Sequence, residues 1–141
     1  MKRIIVALIL SVTASAVFAG GKGGTEVALA SYGGLGVTAA VGLPLDIKFL
    51  SDNGLNTYAE LEMGIGINEA VNVGVELAGG VLVYVADGLS IYGSLGPAIG
   101  LNAGFGLGVE IGLNIDINKS SIFIEVGSHP SSGYVAVGMR L

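Results

Sequence analysis

Four glutamates have a spacing that could support chemistry, namely Glu60, Glu62, Glu76 and Glu110. Glu60 and Glu62 are two residues apart, so an extended strand would point both side chains to the same face. If Ile67 faces Val71 across a three-residue loop, the same register places Glu62 directly opposite Glu76. Opposed carboxylates repel one another, which favours binding of a cation or sharing of a proton. The four residues therefore predict a cation or proton site, provided that strands bring them together.

A second candidate is the segment from Ser128 to Ser132, which contains the single histidine of the sequence, His129. A histidine two residues before a serine resembles part of the active site of outer-membrane lipid A deacylases. The resemblance implies that His129 would be the base and Ser131 the nucleophile of a lipid-modifying hydrolase. That pattern also needs an acid after the histidine, and no Asp or Glu follows His129. A polar loop turned by Pro130 is the alternative interpretation.

Composition limits the other kinds of site and partner. With one His and no Cys, the sequence cannot build a usual zinc cluster, although an all-carboxylate calcium site is conceivable. We expect neither a metal nor a cofactor. The formal net charge of −5 at pH 7 also argues against a nucleic-acid partner.

Residues 1–19 predict a secretory signal peptide. Lys2 and Arg3 form a basic start, an apolar run follows, and Val17 and Ala19 are small enough to precede a cleavage site. Cleavage after Ala19 would leave residues 20–141 as a single domain. The absence of Cys means that disulfide bonds do not stabilise that domain.

The stretch that contains Glu110 alternates strictly between two kinds of residue. Every odd-numbered residue from Ile99 to Ile117 is apolar, and every even-numbered one is Gly, Asn, Glu or Asp. A period of two indicates β-strands with one apolar face. A hairpin loop with an odd number of residues keeps the apolar face on odd numbers, whereas an even number shifts it. Parity therefore locates the turns.

Parity predicts eight strands joined by short loops. The loops would be 32–34, 50–54, 68–70, 86–88, 102–104, 118–121 and about 127–134. The strands would be 24–31, 35–49, 55–67, 71–85, 89–101, 105–117, 122–126 and 134–141. The strand charges, including Lys48 and Arg140, all fall on the face opposite the apolar one. We therefore predict an all-β fold, an antiparallel up-and-down β-barrel of about eight strands that is transmembrane.

The C-terminal sequence YVAVGMRL alternates Val135, Val137, Met139 and Leu141 with small or polar residues. Together with the signal peptide, this resembles small bacterial outer-membrane barrels of the eight-stranded OmpA/OmpX type. The resemblance implies a place in the outer membrane, contact with its lipids and recognition of the final strand by the barrel-insertion machinery. Leu141 departs from the Phe that usually ends that strand. The chain also lacks Trp, and its five Tyr lie on the predicted inner face.

Two prolines leave a different fold open. Pro44 and Pro97 fall inside predicted strands, and residues 78–80 and 96–98 could be loops of their own. More and shorter strands would make a soluble periplasmic or secreted all-β module for binding or assembly.

The function that we predict is that of a non-enzymatic structural component of the outer membrane. Its acidic lumen could act as a narrow cation-preferring pore. A water-filled interior, lined by Gly and solvating the carboxylates, is the alternative to any such site.

Overall fold

The structure is a computed structural model that describes residues 22–141, so the predicted signal peptide lies outside the described residues. Each strand pairs antiparallel with its neighbours in the chain, and the last strand pairs with the first, which closes the barrel. The predicted eight-stranded up-and-down barrel is confirmed. The strands are β1 (Gly24–Ser31), β2 (Leu35–Leu45), β3 (Asn56–Ile67), β4 (Val71–Ala86), β5 (Leu89–Gly100), β6 (Gly104–Ile117), β7 (Ser120–His129) and β8 (Ser132–Arg140).

The apolar stripe faces outward and the polar stripe faces the lumen. On β6, Phe105 is 79%, Leu107 66% and Ile111 57% exposed, whereas Glu110 on the alternate face is 4% exposed. The same division holds on the other strands, where most Val, Leu and Ile side chains are exposed, although Leu82 on β4 is buried in the lumen. This arrangement is the reverse of a soluble domain, which buries such side chains.

Two of the predicted three-residue hairpin loops occur as predicted. Ser31 pairs with Leu35 across residues 32–34, and Ile67 pairs with Val71 across residues 68–70. The third, at 86–88, becomes a two-residue turn with a register shift between Tyr84 and Ala86. One extra residue in the strand replaces one residue of the loop, so the parity of the apolar face is unchanged.

Other predicted loops are wrong in position or length. The β5–β6 turn occupies 101–103 instead of 102–104, because Gly100 pairs with Gly104. The β6–β7 turn has two residues instead of four, and the β7–β8 turn has two instead of about eight. Any even number of loop residues switches the apolar face between odd and even positions. Parity therefore predicts the faces but leaves the loop length undetermined. His129 is consequently the last residue of β7 and not part of a loop.

The predicted strand 35–49 is also too long. β2 ends at Leu45, and a short helix, α1 (Lys48–Ser51), follows in the connection to β3. Side-chain bonds stabilise this connection, since Asn53 Nδ2 donates to the Phe49 carbonyl and Ser51 Oγ donates to Asp46. Lys48 is therefore exposed on α1 and does not point into the lumen. None of the helices in residues 22–141 is long and apolar enough to cross a membrane.

Pro97 lies inside its strand, whereas Pro44 lies one residue before the end of β2. Pro44 pairs with Tyr58 near the end of β2, and Pro97 pairs with Leu107 within β5. Pairing between β4 and β5 is interrupted beside Pro97, where the ring nitrogen has no hydrogen to donate. β4 and β5 continue on both sides of this gap, so the loops considered at 78–80 and 96–98 do not form.

Tyrosine rings cover the glycines of the inner face. A Cβ added at any of three glycines would collide with the ring directly across the strand pair. The pairs are Tyr58 with Gly80, Tyr92 with Gly112, and Tyr134 with Gly127. The glycines thus accommodate rings at these three positions, where the alternative interpretation placed water. Tyr84 is the exception among the five tyrosines, since it is 49% exposed near the end of β4.

Replacing a ring-covered glycine should destabilise the barrel. We expect Gly112→Ala to lower the free energy of unfolding by about 1–3 kcal/mol, because its Cβ would overlap the buried Tyr92 ring. Gly79→Ala is the matched control, since no atom lies within 4 Å of a Cβ built there. Urea unfolding in detergent micelles would measure both variants. Equal unfolding midpoints would contradict this account of the inner glycines.

Candidate functional site

Glutamates from five strands converge in the lumen because each occupies the polar face of its strand. None exposes more than 4% of its surface, and a carboxylate removed from water to this extent needs a charged or hydrogen-bonding partner. The four predicted site residues are all among them. The full set is Glu26, Glu60, Glu62, Glu76, Glu110 and Glu125.

Lys22 supplies a cation to this cluster from outside the strands. Its side chain enters the lumen and is fully buried. The ammonium Nζ donates hydrogen bonds to Glu60 Oε1 at 2.9 Å and to Glu110 Oε1 at 2.6 Å. Glu26 Oε2 lies 3.7 Å away. One cation therefore joins carboxylates from β1, β3 and β6.

Two tyrosine faces complete the surroundings of this ammonium. Nζ lies 4.1 Å from the centre of the Tyr92 ring and 5.2 Å from that of Tyr58. A cation within about 6 Å of an aromatic face is attracted by the electron density of the ring. Carboxylates and aromatic faces thus surround the same nitrogen.

The structure brings Glu60, Glu62 and Glu110 together but directs Glu76 elsewhere. One carboxylate oxygen from each of the first three lies within 4.8 Å of the others. Glu62 pairs with Glu76 across β3 and β4, as predicted. Their side chains nevertheless have different partners, because Glu62 accepts a hydrogen bond from Tyr134 and Glu76 lies beside His129. Three of the four predicted residues therefore form one group, and the fourth, Glu76, pairs with His129 instead.

Tyrosine hydroxyls donate to several of the buried carboxylates. Tyr92 donates to Glu125 at 2.7 Å, Tyr134 to Glu62 at 3.1 Å and Tyr58 to Glu110 at 3.3 Å. Each ring lies over the glycine on the neighbouring strand, which allows its hydroxyl to reach an acid on a more distant strand. The same three rings that fill the lumen thereby stabilise its negative charge.

Carboxyl groups outnumber basic side chains in the described part of the lumen. Besides Lys22, the buried cation there is Arg140, whose Nε donates to Glu26 at 2.6 Å. Within residues 22–141, three buried carboxylate oxygens have no hydrogen-bond partner, namely Glu60 Oε2, Glu62 Oε1 and Glu76 Oε1. The lumen consequently has unused capacity to bind a proton or a small cation.

His129 lies in a separate group of side chains near the opposite end of the barrel. Its Nε2 is 3.1 Å from Glu76 Oε2, at an angle that does not make a hydrogen bond. Its Nδ1 is 2.7 Å from the Tyr32 hydroxyl. The ring of Tyr134 packs against it with 5.4 Å between centres.

The His129 group has only part of the geometry of a hydrolase. Glu76, from β4, lies where the missing acid would be needed. Ser131 Oγ, however, lies 2.9 Å from the Tyr32 hydroxyl, so Tyr32 stands between the proposed base and the proposed nucleophile. Burial raises the pKa of the Tyr32 phenol above its usual value, so this hydroxyl stays protonated. His129 is 3% exposed, which leaves little access for a substrate.

Sequence reasoning missed Lys22 and the role of the tyrosines. Lys22 precedes the first strand, so the alternation of apolar and polar residues carries no information about where it points. The available signal was the number of glutamates predicted at a similar depth in the barrel. Buried groups of like charge need a cation nearby, so this excess indicated that a basic residue from elsewhere in the chain enters the lumen. The inward position of Tyr58, Tyr92 and Tyr134 was predicted correctly, but their glycine and glutamate partners lie on other strands.

No protein-family model matches the sequence, and no curated protein matches it either. Among solved structures, a barrel from "De novo design of transmembrane beta-barrels" is similar, with a TM-score of 0.55 and 17% identity. The match covers 84% of this chain and 94% of that one. The Yersinia pestis outer membrane protein Ail, solved in a phospholipid bilayer nanodisc, has a TM-score of 0.51 and 10% identity. That match covers 82% of this chain and 94% of Ail. The chain therefore has the closed, eight-stranded antiparallel architecture of small transmembrane β-barrels.

Proposed function

We propose that the protein is a non-enzymatic structural component of the outer membrane, a barrel that spans the bilayer with a filled lumen. The observation that carries the proposal is the outward apolar face on every strand, combined with an inward polar face. A bilayer requires apolar side chains outside and paired backbone groups within, which a closed barrel provides. The predicted signal peptide and the architecture of Ail are consistent with that location.

Exposed aromatic side chains at the two ends of the barrel support a spanning orientation. Phe49 on α1 is 77% exposed at the end where the chain enters, and Phe105 is 79% exposed at the other end. Transmembrane β-barrels carry girdles of aromatic residues on the outer face at both interfaces. One exposed phenylalanine at each end is a minimal form of such a girdle.

The filled lumen favours a structural role over a pore. Tyr32, Tyr58, Tyr92 and Phe123 are each at most 2% exposed, and Lys22 lies among the carboxylates. A narrow cation-preferring pore remains the second candidate, because the lumen holds more carboxylates than cations and several of their oxygens lack partners. Conduction would require these side chains to move aside.

The hydrolase alternative has weaker support than either of these roles. It requires His129 to contact Ser131, and the Tyr32 hydroxyl occupies the position between them. We therefore expect overexpression to leave the mass spectrum of lipid A unchanged.

A charge placed in the middle of the outer face should prevent stable insertion into lipid. We expect Ile111→Arg, near the middle of β6, to lower stability in lipid vesicles by about 2–4 kcal/mol. Ile117→Arg is the matched control on the same strand and face, and at the rim it should cost about 0–1 kcal/mol. Unfolding in vesicles would measure both. A soluble protein would tolerate the two changes equally, and that result would overturn the membrane proposal.

The filled lumen should not conduct ions. We expect the purified barrel to give no steady single-channel current in planar bilayers. A cation-selective current that falls in the Glu62→Gln/Glu76→Gln variant would contradict a sealed barrel and support the pore. Insertion should be verified in the same preparation by heat-modifiable migration on gels.

We also propose that the final strand is recognised by the barrel-insertion machinery. Val135, Val137 and Met139 alternate along β8 with small or inward residues and face outward. A photocrosslinker at Met139 should capture this machinery during assembly in cells, whereas one at Ile111 on β6 should not. Equal capture from both positions would contradict recognition through β8.

A further inference from the structure

The surroundings of Lys22 are those of a receptor for an ammonium ion. Two carboxylate oxygens, from Glu60 and Glu110, accept hydrogen bonds from Nζ, and the Tyr92 ring faces it at 4.1 Å. The receptor groups come from β3, β5 and β6, whereas Lys22 lies before β1. The strands therefore build the receptor, and a residue outside the strands occupies it.

We infer that the lumen contains a binding site for a primary alkylammonium ion, which in the native chain is filled by Lys22. The ligand class follows from the donor set. A primary ammonium has three N–H donors on one end and an apolar stem on the other. It can donate to both carboxylates while its surface rests against the two rings.

The aromatic faces distinguish this site from a metal site. Calcium and magnesium bind through oxygen lone pairs and require six or more of them. The faces of Tyr58 and Tyr92 offer none, and they occupy part of the space around the nitrogen. Among the described residues, Glu62 Oε1 lies in the same cluster without a partner, so a cation in the site has a further carboxyl oxygen close by.

Covalent attachment explains how Lys22 would hold the site against free amines. A tethered ligand acts at an effective concentration of millimolar or more. A free amine with comparable contacts therefore competes poorly with Lys22. In the folded form, removing the lysine side chain should leave the site empty and open to an amine of matching length.

The test is chemical rescue of Lys22→Ala, refolded in detergent micelles with increasing n-propylammonium chloride at constant ionic strength. Truncation leaves two buried carboxylates without their cation, which should lower the folding equilibrium constant by about a hundredfold or more. Propylammonium replaces the missing stem and charge. We expect it to raise the folding equilibrium constant in proportion to its concentration, by about tenfold when the amine reaches about ten times a millimolar dissociation constant. Heat-modifiable gel migration and urea midpoints would report the folded fraction.

The controls separate this site from a general effect of amines or salts. The native chain and Lys119→Ala, which removes an exposed lysine, should not respond to propylammonium. Propanol, which has the stem without the charge, should not rescue Lys22→Ala. Adding Glu60→Gln/Glu110→Gln to Lys22→Ala should abolish the response, because the carboxylates that bind the ammonium are gone.

Several results would overturn the inference. They are a Lys22→Ala chain that stays unfolded at every amine concentration, one that folds without responding to the amine, and one that calcium rescues as well as propylammonium. Because the measurement is made in micelles, it does not depend on whether the barrel spans the outer membrane. Failure of the rescue and failure of membrane insertion are thus separate outcomes.

Discussion

An eight-stranded barrel encloses an interior just wide enough to be filled by its own side chains. In this protein the fit depends on placing a tyrosine directly across from a glycine on the neighbouring strand. The missing side chain makes room for the ring, and the ring covers the backbone that glycine leaves bare. This contact recurs at Tyr58, Tyr92 and Tyr134. Much of the remaining arrangement of the lumen follows from where those rings lie.

The rings also determine how the buried charge is stabilised. Each of these tyrosine hydroxyls lies at the far edge of its ring and donates to a glutamate on another strand. Lys22 and Arg140 neutralise part of the remaining charge through Glu60, Glu110 and Glu26. In a medium of low polarisability such pairs interact strongly, and a lone carboxylate is costly. The network therefore links strands that are distant in the sequence, beyond the backbone pairing of neighbours.

The faces of the strands were predictable from the sequence because side chains alternate with a period of exactly two residues. The stripe from Ile99 to Ile117 is exposed, and Glu110 within it is buried. Two short loops and the pairing of Glu62 with Glu76 were also predictable, because a three-residue loop fixes a single pairing register for the two strands that it joins. The loops near the C-terminus were not, because a two-residue turn and an eight-residue loop have the same effect on parity. The prediction that Lys48 points into the lumen was wrong because β2 ends at Leu45 and α1 follows.

For most strand residues the sequence by itself determined whether the side chain meets the lumen or the surroundings, since that choice depends only on local alternation. Closure of the sheet decided which of the inward side chains meet one another. It brought Lys22 to carboxylates 38 and 88 residues away, and it separated Glu76 from Glu62 by giving it His129 as a neighbour. These contacts depend on the curvature and width of the closed barrel, because they form across the lumen. No local sequence pattern encodes that curvature or width.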